Sequence, residues 1–265
     1  MLKDITLGQY YPADSILHRL DPRMKIILIL LYVVIIFLIR TFYGFLFLGI
    51  ITYLFIKSSH IPIGNFLKSL KPVFIIISFT LVLHAVFTKG GVLLFSLGFL
   101  TIESQGVITG IFMTLRLILL VITTSLLTLT TSPISLTDGI EYLLSPFKKI
   151  GIPAHEMAMM MTISLRFIPI LIMESDKIMK AQLARGADFS EGGITQRARN
   201  LVPIIVPLFV SAFRRADELA TAMEARCYRG GEKRSRLYKL QYTRTDFYAS
   251  TFLAFILVFV LVSRI

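Results

Sequence analysis

Ile26 to Ile39 is apolar at every position except Tyr32, and after an interruption at Arg40-Thr41 the run resumes from Phe42 to Ile56. As one helix this stretch would extend about 46 Å at about 1.5 Å per residue, too far for one crossing of a hydrocarbon layer of roughly 30 Å. Two short spans joined near Arg40 fit the length better, and a single steeply tilted helix is the competing reading. Pro72–Phe87 and Phe247–Val262 add further apolar runs, and Gly106–Thr130 is the clearest, although Arg116 interrupts it. Lys89-Gly90-Gly91 opens a loop, after which Val92–Leu100 either lies at the interface or forms a small hairpin. The mean hydropathy is +0.75, yet 17% of residues are charged. The polarity must therefore be segregated along the chain. The fold class this predicts is an all-α integral membrane protein of about five transmembrane helices, with one aqueous region.

That region is expected between Thr131 and Arg244, where no stretch reads as long and apolar enough to span comfortably. A short helix opens at Ser132-Pro133, reaches about Lys149 and breaks at Gly151-Ile152-Pro153. A long helix follows from Ala154 to about Arg185, with a kink expected at Pro169. A second runs from about Thr195 to Arg226, bent near Pro203 and Pro207. The chain thus divides into 1–130, a membrane region of about four spans; 131–245, one short and two long helices; and 246–265, a final span. Lys57–Lys71 is expected to be a polar connection.

Basic residues give the orientation. The lead-in holds Lys3, Arg19, Arg23 and Lys25, the 57–71 loop holds Lys57, Lys68 and Lys71, and the 131–245 region is dense in Lys and Arg, among them Lys233, Arg234 and Arg236. The opposite side would hold only Arg40, Lys89 and Arg264. The N-terminus and the long helices are therefore expected in the cytoplasm. No cleavable signal pattern is expected at the start.

Several chemistries find no support. The net charge of +12 comes with no nucleic-acid recognition motif. No Gly-x4-Gly-Lys-Ser/Thr loop is present, so ATP hydrolysis by that route is not expected of this chain. His18, His60, His84 and His155 lack metal-ligand spacing, and one cysteine, Cys227, supports neither an internal disulfide nor a cysteine-rich metal site. No nucleophile elbow or paired catalytic carboxylate stands out. Gly106 and Gly110 suggest close helix packing. Arg116, costly inside a span, reads as a packing or anchoring residue, with substrate binding or a pair with Glu103 as alternatives.

Two tripeptides close the long helices: Ala184-Arg185-Gly186 and Ala225-Arg226-Cys227. Counting back from each arginine, Asp176 and Asp217 stand nine before, and Ala181 and Ala222 four before, giving Asp-x4-Ala-x2-Ala-Arg twice. Helix capping explains Arg185 before Gly186. It explains Arg226 less well, since Cys227 replaces glycine and the helix could continue to Gly230-Gly231. Small alanines beside each arginine would let a helix end enter a groove, where a guanidinium fork matches a carboxylate or a helix-end carbonyl. Two equivalent arginine ends imply a partner with two equivalent halves. Met157, Met159, Met160, Met161, Met173 and Met179 lie in the first long helix and Met223 in the second. They read either as ordinary core or as an adaptable surface for exchangeable partners. The Met159–Met161 run cannot place all three side chains on one face.

These features together resemble the transmembrane T component of energy-coupling factor (ECF) transporters, the EcfT/CbiQ family. The resemblance covers nearly the whole chain. It includes the lead-in Ser15-Ile16-Leu17-His18-Arg19-Leu20-Asp21-Pro22-Arg23-x-Lys25, the spans and the paired arginine motifs. It implies a non-catalytic subunit in the plasma membrane of a prokaryote, whose long coupling helices are cytoplasmic. It implies that Ala184, Arg185, Gly186, Ala225, Arg226 and Cys227 dock two ABC-type ATPases, identical or not, which bind ATP and Mg. It also implies a separate substrate-binding S component, single or exchangeable, held on apolar helix faces, with Met157, Met160, Met161 and Met173 as candidate contacts. No cofactor is expected in this chain. Two other readings stand beside it: a self-sufficient permease with Arg116 lining a pathway, and a membrane enzyme acting on lipid. The sequence names no substrate.

Overall fold

The computed structural model describes residues 10–97, 100–187, 189, 193–230 and 240–263. Lys3, Gly192, Lys233, Arg234, Arg236 and Arg264 lie outside the described residues. The chain divides into two compact units, one of residues 8–139 with 238–265 and one built on 140–237.

In the first unit a single turn, α1 (Ile16–Arg19), is capped by Ser15, whose Oγ accepts the His18 N–H. Asp21 then caps α2 (Pro22–Leu38), with Pro22 in the first turn where a missing N–H costs little. The helix stops where the Arg40 interruption predicts. Ile39 turns extended, and Thr41 caps α3 (Phe42–Ser58) by accepting the Gly44 N–H at 3.3 Å. The break near Arg40 therefore holds, and 26–56 lies in two helices of 17 residues each, not in one tilted helix. The two helices are tied together by Tyr32, whose hydroxyl donates to the Leu48 carbonyl at 3.0 Å and lies 2.8 Å from Thr52 Oγ1.

The expected polar connection at 57–71 is largely helical. After a turn at Ser59-His60 the chain enters α4 (Ile63–Leu70), which buries Phe66 while exposing Leu67 and Lys68. A 3₁₀ turn over Lys71–Val73 carries it into α5 (Phe74–Phe87). Pro72 sits at the start of that turn and so does not end the rod, which reaches from Ile63 to Phe87. Of the two readings for 92–100, the hairpin is correct: β1 (Leu93–Leu97) pairs antiparallel with β2 (Leu100–Glu103). The helix α6 (Ser104–Thr130) follows. Its Gly106 and Gly110 pack against α5 as the spacing suggested. A Cβ on Gly106 would lie 2.6 Å from the Thr88 carbonyl oxygen and 2.8 Å from that of His84. The last helix, α10 (Arg244–Ser263), begins with a capping box in which Thr243 N–H donates to Asp246 Oδ2 at 2.7 Å. Tyr32, Ile35, Ile36, Phe45, Leu48, Leu119 and Ile256 form the main core among α2, α3, α6 and α10.

Three of this unit's cations, Lys25, Arg116 and Arg23, donate to backbone carbonyls, and Arg23 also lies 3.7 Å from Asp21 Oδ1. Lys25, 5% exposed, donates to the His18 carbonyl, the Thr130 carbonyl and Thr131 Oγ1 at 3.0–3.2 Å. It thereby satisfies a carbonyl at the end of α6, which has no intrahelical partner. Arg116 does the same for α2, donating to the Ile39 carbonyl at 3.1 Å while lying over the rings of Phe37 and Phe45. Arg23 donates to the Leu240 carbonyl at 3.1 Å and covers the Tyr242 ring. Beside it, buried Asp246 accepts the Asp21 N–H at 2.9 Å, clasping the start of α10 to the start of α2.

The division between the units falls within α7 (Pro133–Leu144). A 3₁₀ turn over Ser145–Ile150 ends at Gly151, in the left-handed region at φ +94°. Two long helices follow, α8 (Ala154–Ala184), which contains Pro169, and α9 (Ile194–Ala225), which contains Pro203 and Pro207. One expectation is corrected here. Ala154–Ala184 is long and apolar enough to cross a membrane, although no such stretch was expected between 131 and 244. Arg166 and the expected kink residue Pro169 both lie inside it. The helix runs unbroken through both, and Met157–Met173 contains no other charged residue. The described structure holds four helices of that kind, Ile63–Phe87, Ser104–Thr130, Ala154–Ala184 and Arg244–Val262, with Phe42–Ser58 shorter. Among the described residues the only strands are the two of the hairpin, and the all-α membrane fold is the observed one.

Candidate functional site

The two arginine tripeptides end their helices in the same way. Ala184 is the last residue of α8, and the Arg185 N–H donates back to the Ala181 and Gln182 carbonyls. Gly186 enters the left-handed region at φ +86°. Its N–H donates to the Leu183 carbonyl at 3.0 Å, and the Ala187 N–H donates to the Gln182 carbonyl at 3.0 Å. This is a Schellman ending. At α9 the Arg226 N–H donates to the Ala222 and Met223 carbonyls, the Cys227 N–H to Glu224 at 2.8 Å and the Tyr228 N–H to Met223 at 3.0 Å. Cys227 itself has φ +54°. The expectation that α9 might run on to Gly230, and that capping explains its end less well, is therefore corrected. Cysteine, unbranched at Cβ, takes the glycine's conformation at a cost of about 1 kcal/mol, and the six ordered backbone positions of the two ends correspond one to one.

The side chains are presented alike as well. Arg185 and Arg226 are exposed, as are Ala181, Ala184, Ala222 and Ala225. Among the described residues neither guanidinium has a hydrogen-bond or ion-pair partner. The capping geometry uses only the backbone, so it leaves all five donors of each guanidinium free for something else. Asp176 and Asp217 do not pair with them, as a separation of about 2.5 turns requires.

The two long helices run antiparallel. Arg215 donates to Glu174 Oε2 at 3.3 Å. Further along, Met159, Ile163 and Arg166 of α8 and Leu219, Met223 and Arg226 of α9 line one groove of about 590 Å³. Arg226 thus lies beside the first half of α8, whereas Arg185 closes its far end. From Arg166 to Arg185 is about 28 Å of helix at about 1.5 Å per residue. The α9 end is held from below by a side-chain relay: Tyr228 Oη lies 3.5 Å from His155 Nε2, and His155 Nδ1 lies 3.0 Å from Glu141 Oε1.

Comparison with known proteins fits this arrangement. The family described as CbiQ, cobalt transport protein, matches residues 13–237. The energy-coupling factor transporter transmembrane protein EcfT of Acidaminococcus fermentans is 56% identical over 265 residues, covering 99% of this chain and 97% of that protein. The EcfT proteins of Clostridium kluyveri and Bacillus subtilis are 54% and 47% identical, with more than nine-tenths of each chain covered. The chain belongs to the EcfT/CbiQ family. It is a transmembrane component of an ECF transporter, and its place is in the membrane.

Within this family member the candidate methionines separate into two groups. Met157, Met160 and Met161 are exposed and fall within about 100° of one another around α8, on one stripe with exposed Ser164 and Ile168. Met173 is also exposed, but sixteen residues from Met157 place it about 160° away, so it does not share their face. Met159 faces α9 in the groove. Sequence reasoning missed three features. Arg166 and Arg229 line the groove with Arg226. On α9, Leu201, Val202, Ile205, Val206, Phe209, Val210 and Phe213 form an exposed apolar stripe. The i, i+1, i+4, i+5 spacing of that stripe was readable in the sequence. Arg116, whose alternatives included a pair with Glu103, takes the anchoring role instead, and Glu103 accepts from the Gly90 N–H.

Proposed function

We propose that this EcfT/CbiQ-family chain is the non-catalytic coupling subunit of an ECF importer, in which Arg185 and Arg226 each dock one of two ABC-type ATPases. The observation that carries this is the pairing itself: two helix ends closed by the same backbone hydrogen-bond pattern, each exposing, among the described residues, an unengaged guanidinium flanked by exposed alanines. A guanidinium fork is suited to carboxylates and helix-end carbonyls, and its match is worth most when water is excluded. ATP and Mg would be held by the ATPases. Closing of the ATPases on ATP would move both helix ends, and α8 and α9 would transmit that motion to an S component that binds a vitamin or a metal ion. The S component would rest on the Met157–Met160–Met161 stripe and the apolar stripe of α9. The excess of Lys and Arg in the lead-in and in 131–245 supports a cytoplasmic N-terminus and cytoplasmic long helices in this reading. The permease reading loses its candidate, because Arg116 is committed to the Ile39 carbonyl and two aromatic faces.

The test is substrate uptake by vesicles containing the full complex. Arg185→Ala together with Arg226→Ala should abolish ATP-driven uptake, at least about 100-fold, since truncating one side of a buried charged contact costs roughly 2–5 kcal/mol. The amount of chain in the membrane should not change. Uptake at the wild-type rate in that double variant would refute the proposal.

A further inference from the structure

The repeated motif makes the two ends equivalent only up to the arginine. Beyond it they diverge. Gly186 is followed by Ala187-Asp188-Phe189-Ser190-Glu191, which adds two carboxylates, while Cys227 is followed by Tyr228-Arg229-Gly230, which adds a cation. The left-handed residue at Cys227 reverses the chain, so that Tyr228, Arg229 and Gly230 fold back to line the groove that Arg226 shares with Arg166 of α8. Arg185 is not among its lining residues.

Three arginines therefore line one open volume of about 590 Å³. Among the described residues, none of the three has a carboxylate partner. Like charges gathered in this way repel one another, and an anion placed among them relieves that repulsion. The remaining walls are Met159, Ile163, Leu219 and Met223, which suit the apolar side of an amphipathic segment. Tyr228 is braced through His155 to Glu141, so one wall is set before any partner arrives.

We infer that the groove at the α9 end receives an acidic segment of the ATPase that docks there, with Arg166 and Arg229 acting beside Arg226, so that the two helix ends are not interchangeable. This rests on the docking reading above and adds a recognition element to one end only. Arg166 contributes from the other helix, so the groove exists only when α8 and α9 are packed together.

The experiment is equilibrium binding of the transporter's own ATPase pair to the full-length chain in lipid nanodiscs, across a range of salt. Arg166→Gln with Arg229→Gln should weaken binding about 10- to 30-fold and flatten its salt dependence. Arg166→Lys with Arg229→Lys should restore most of the affinity, because charge is kept. In that lysine variant, carbodiimide should join Lys side chains at 166 or 229 to an aspartate or glutamate of one ATPase. Unchanged affinity in the glutamine variant would overturn the inference. So would cross-links confined to this chain, or binding that follows the anionic-lipid content of the nanodisc instead of the two arginines. If Arg185→Ala with Arg226→Ala also leaves affinity unchanged, the docking reading itself fails. If that pair weakens binding and the glutamine pair does not, only the present inference fails.

Discussion

The cations Lys25, Arg23 and Arg116 of the 8–139/238–265 unit and the arginines that end α8 and α9 are basic side chains put to opposite uses. Lys25, Arg23 and Arg116 each donate to backbone carbonyls, two of them at helix ends that would otherwise leave an oxygen unpaired in an apolar bundle. Arg185 and Arg226 also stand at helix ends. There the backbone closes on itself through the left-handed residue that follows, and the side chain is left out of the arrangement. A helix end that needs its cation consumes it, and one that caps itself frees it. That difference separates the cations spent inside the fold from those left free at its surface.

The largest effect that could break this distinction lies at Asp246. It accepts the Asp21 N–H, caps α10 through Thr243 and acts electrostatically on Lys25 while only 2% exposed. Asp246→Ala should cost about 3 kcal/mol of stability, because it leaves buried donors and nearby cations uncompensated. A denaturant titration of the detergent-solubilised chain measures this. Arg185→Ala, by contrast, should move stability by no more than about 0.5 kcal/mol while it reduces uptake. A destabilised Arg185→Ala variant would show that the guanidinium is engaged within the fold, and the contrast between the two classes would collapse.

A middle-sized effect belongs to Arg116. Replacing it by Met keeps most of the apolar stem between Phe37 and Phe45 but leaves the Ile39 carbonyl without a donor. The expected loss is about 2 kcal/mol. ATPase binding by the folded fraction should be unchanged. If Arg116→Met instead removed transport while stability held, the cation would belong with the functional class and the permease reading would return.

Much of the fold was legible because it rests on one-dimensional features. Apolar runs mark spans whatever their packing, and Arg40-Thr41 broke 26–56 into α2 and α3 where expected. Gly106 and Gly110 announced a close approach that only a missing Cβ permits. The failures arise where the answer lies across the chain or in a residue's untypical use. Lys25 and Thr130 are joined over more than a hundred positions, and no local spacing connects Arg166 to Arg229. The α4 helix was hidden because eight residues with three polar ones, Asn65, Lys68 and Ser69, read as a polar connection. α8 was read as one long helix but not as a possible span, although Arg166 is the only charged residue in Met157–Met173. The equivalence of the two arginine ends was visible as a spacing, but Cys227 masked the equivalence of their backbones, since residue preference argues against cysteine at positive φ.

Cys227 and Gly186 offer the smallest and sharpest test of that equivalence. Both sit at the position after the arginine, and both are left-handed, at φ +54° and +86°. A Cβ at Gly186 would meet nothing within 4 Å, so Gly186→Ala brings backbone strain without a clash. The expected cost is about 1 kcal/mol, and Cys227→Gly should return a similar amount. A difference of that size changes a local opening equilibrium about fivefold. The amide of Tyr228, bonded to the Met223 carbonyl, should therefore exchange about fivefold more slowly in Cys227→Gly, and that of Ala187, bonded to Gln182, about fivefold faster in Gly186→Ala. Equal and opposite shifts mean that the two ends differ at this position only in strain. If Cys227→Gly instead loosens Tyr228, the thiol is making a contact at the α9 groove that glycine cannot replace, and the two ends are unlike already at the first residue past the arginine.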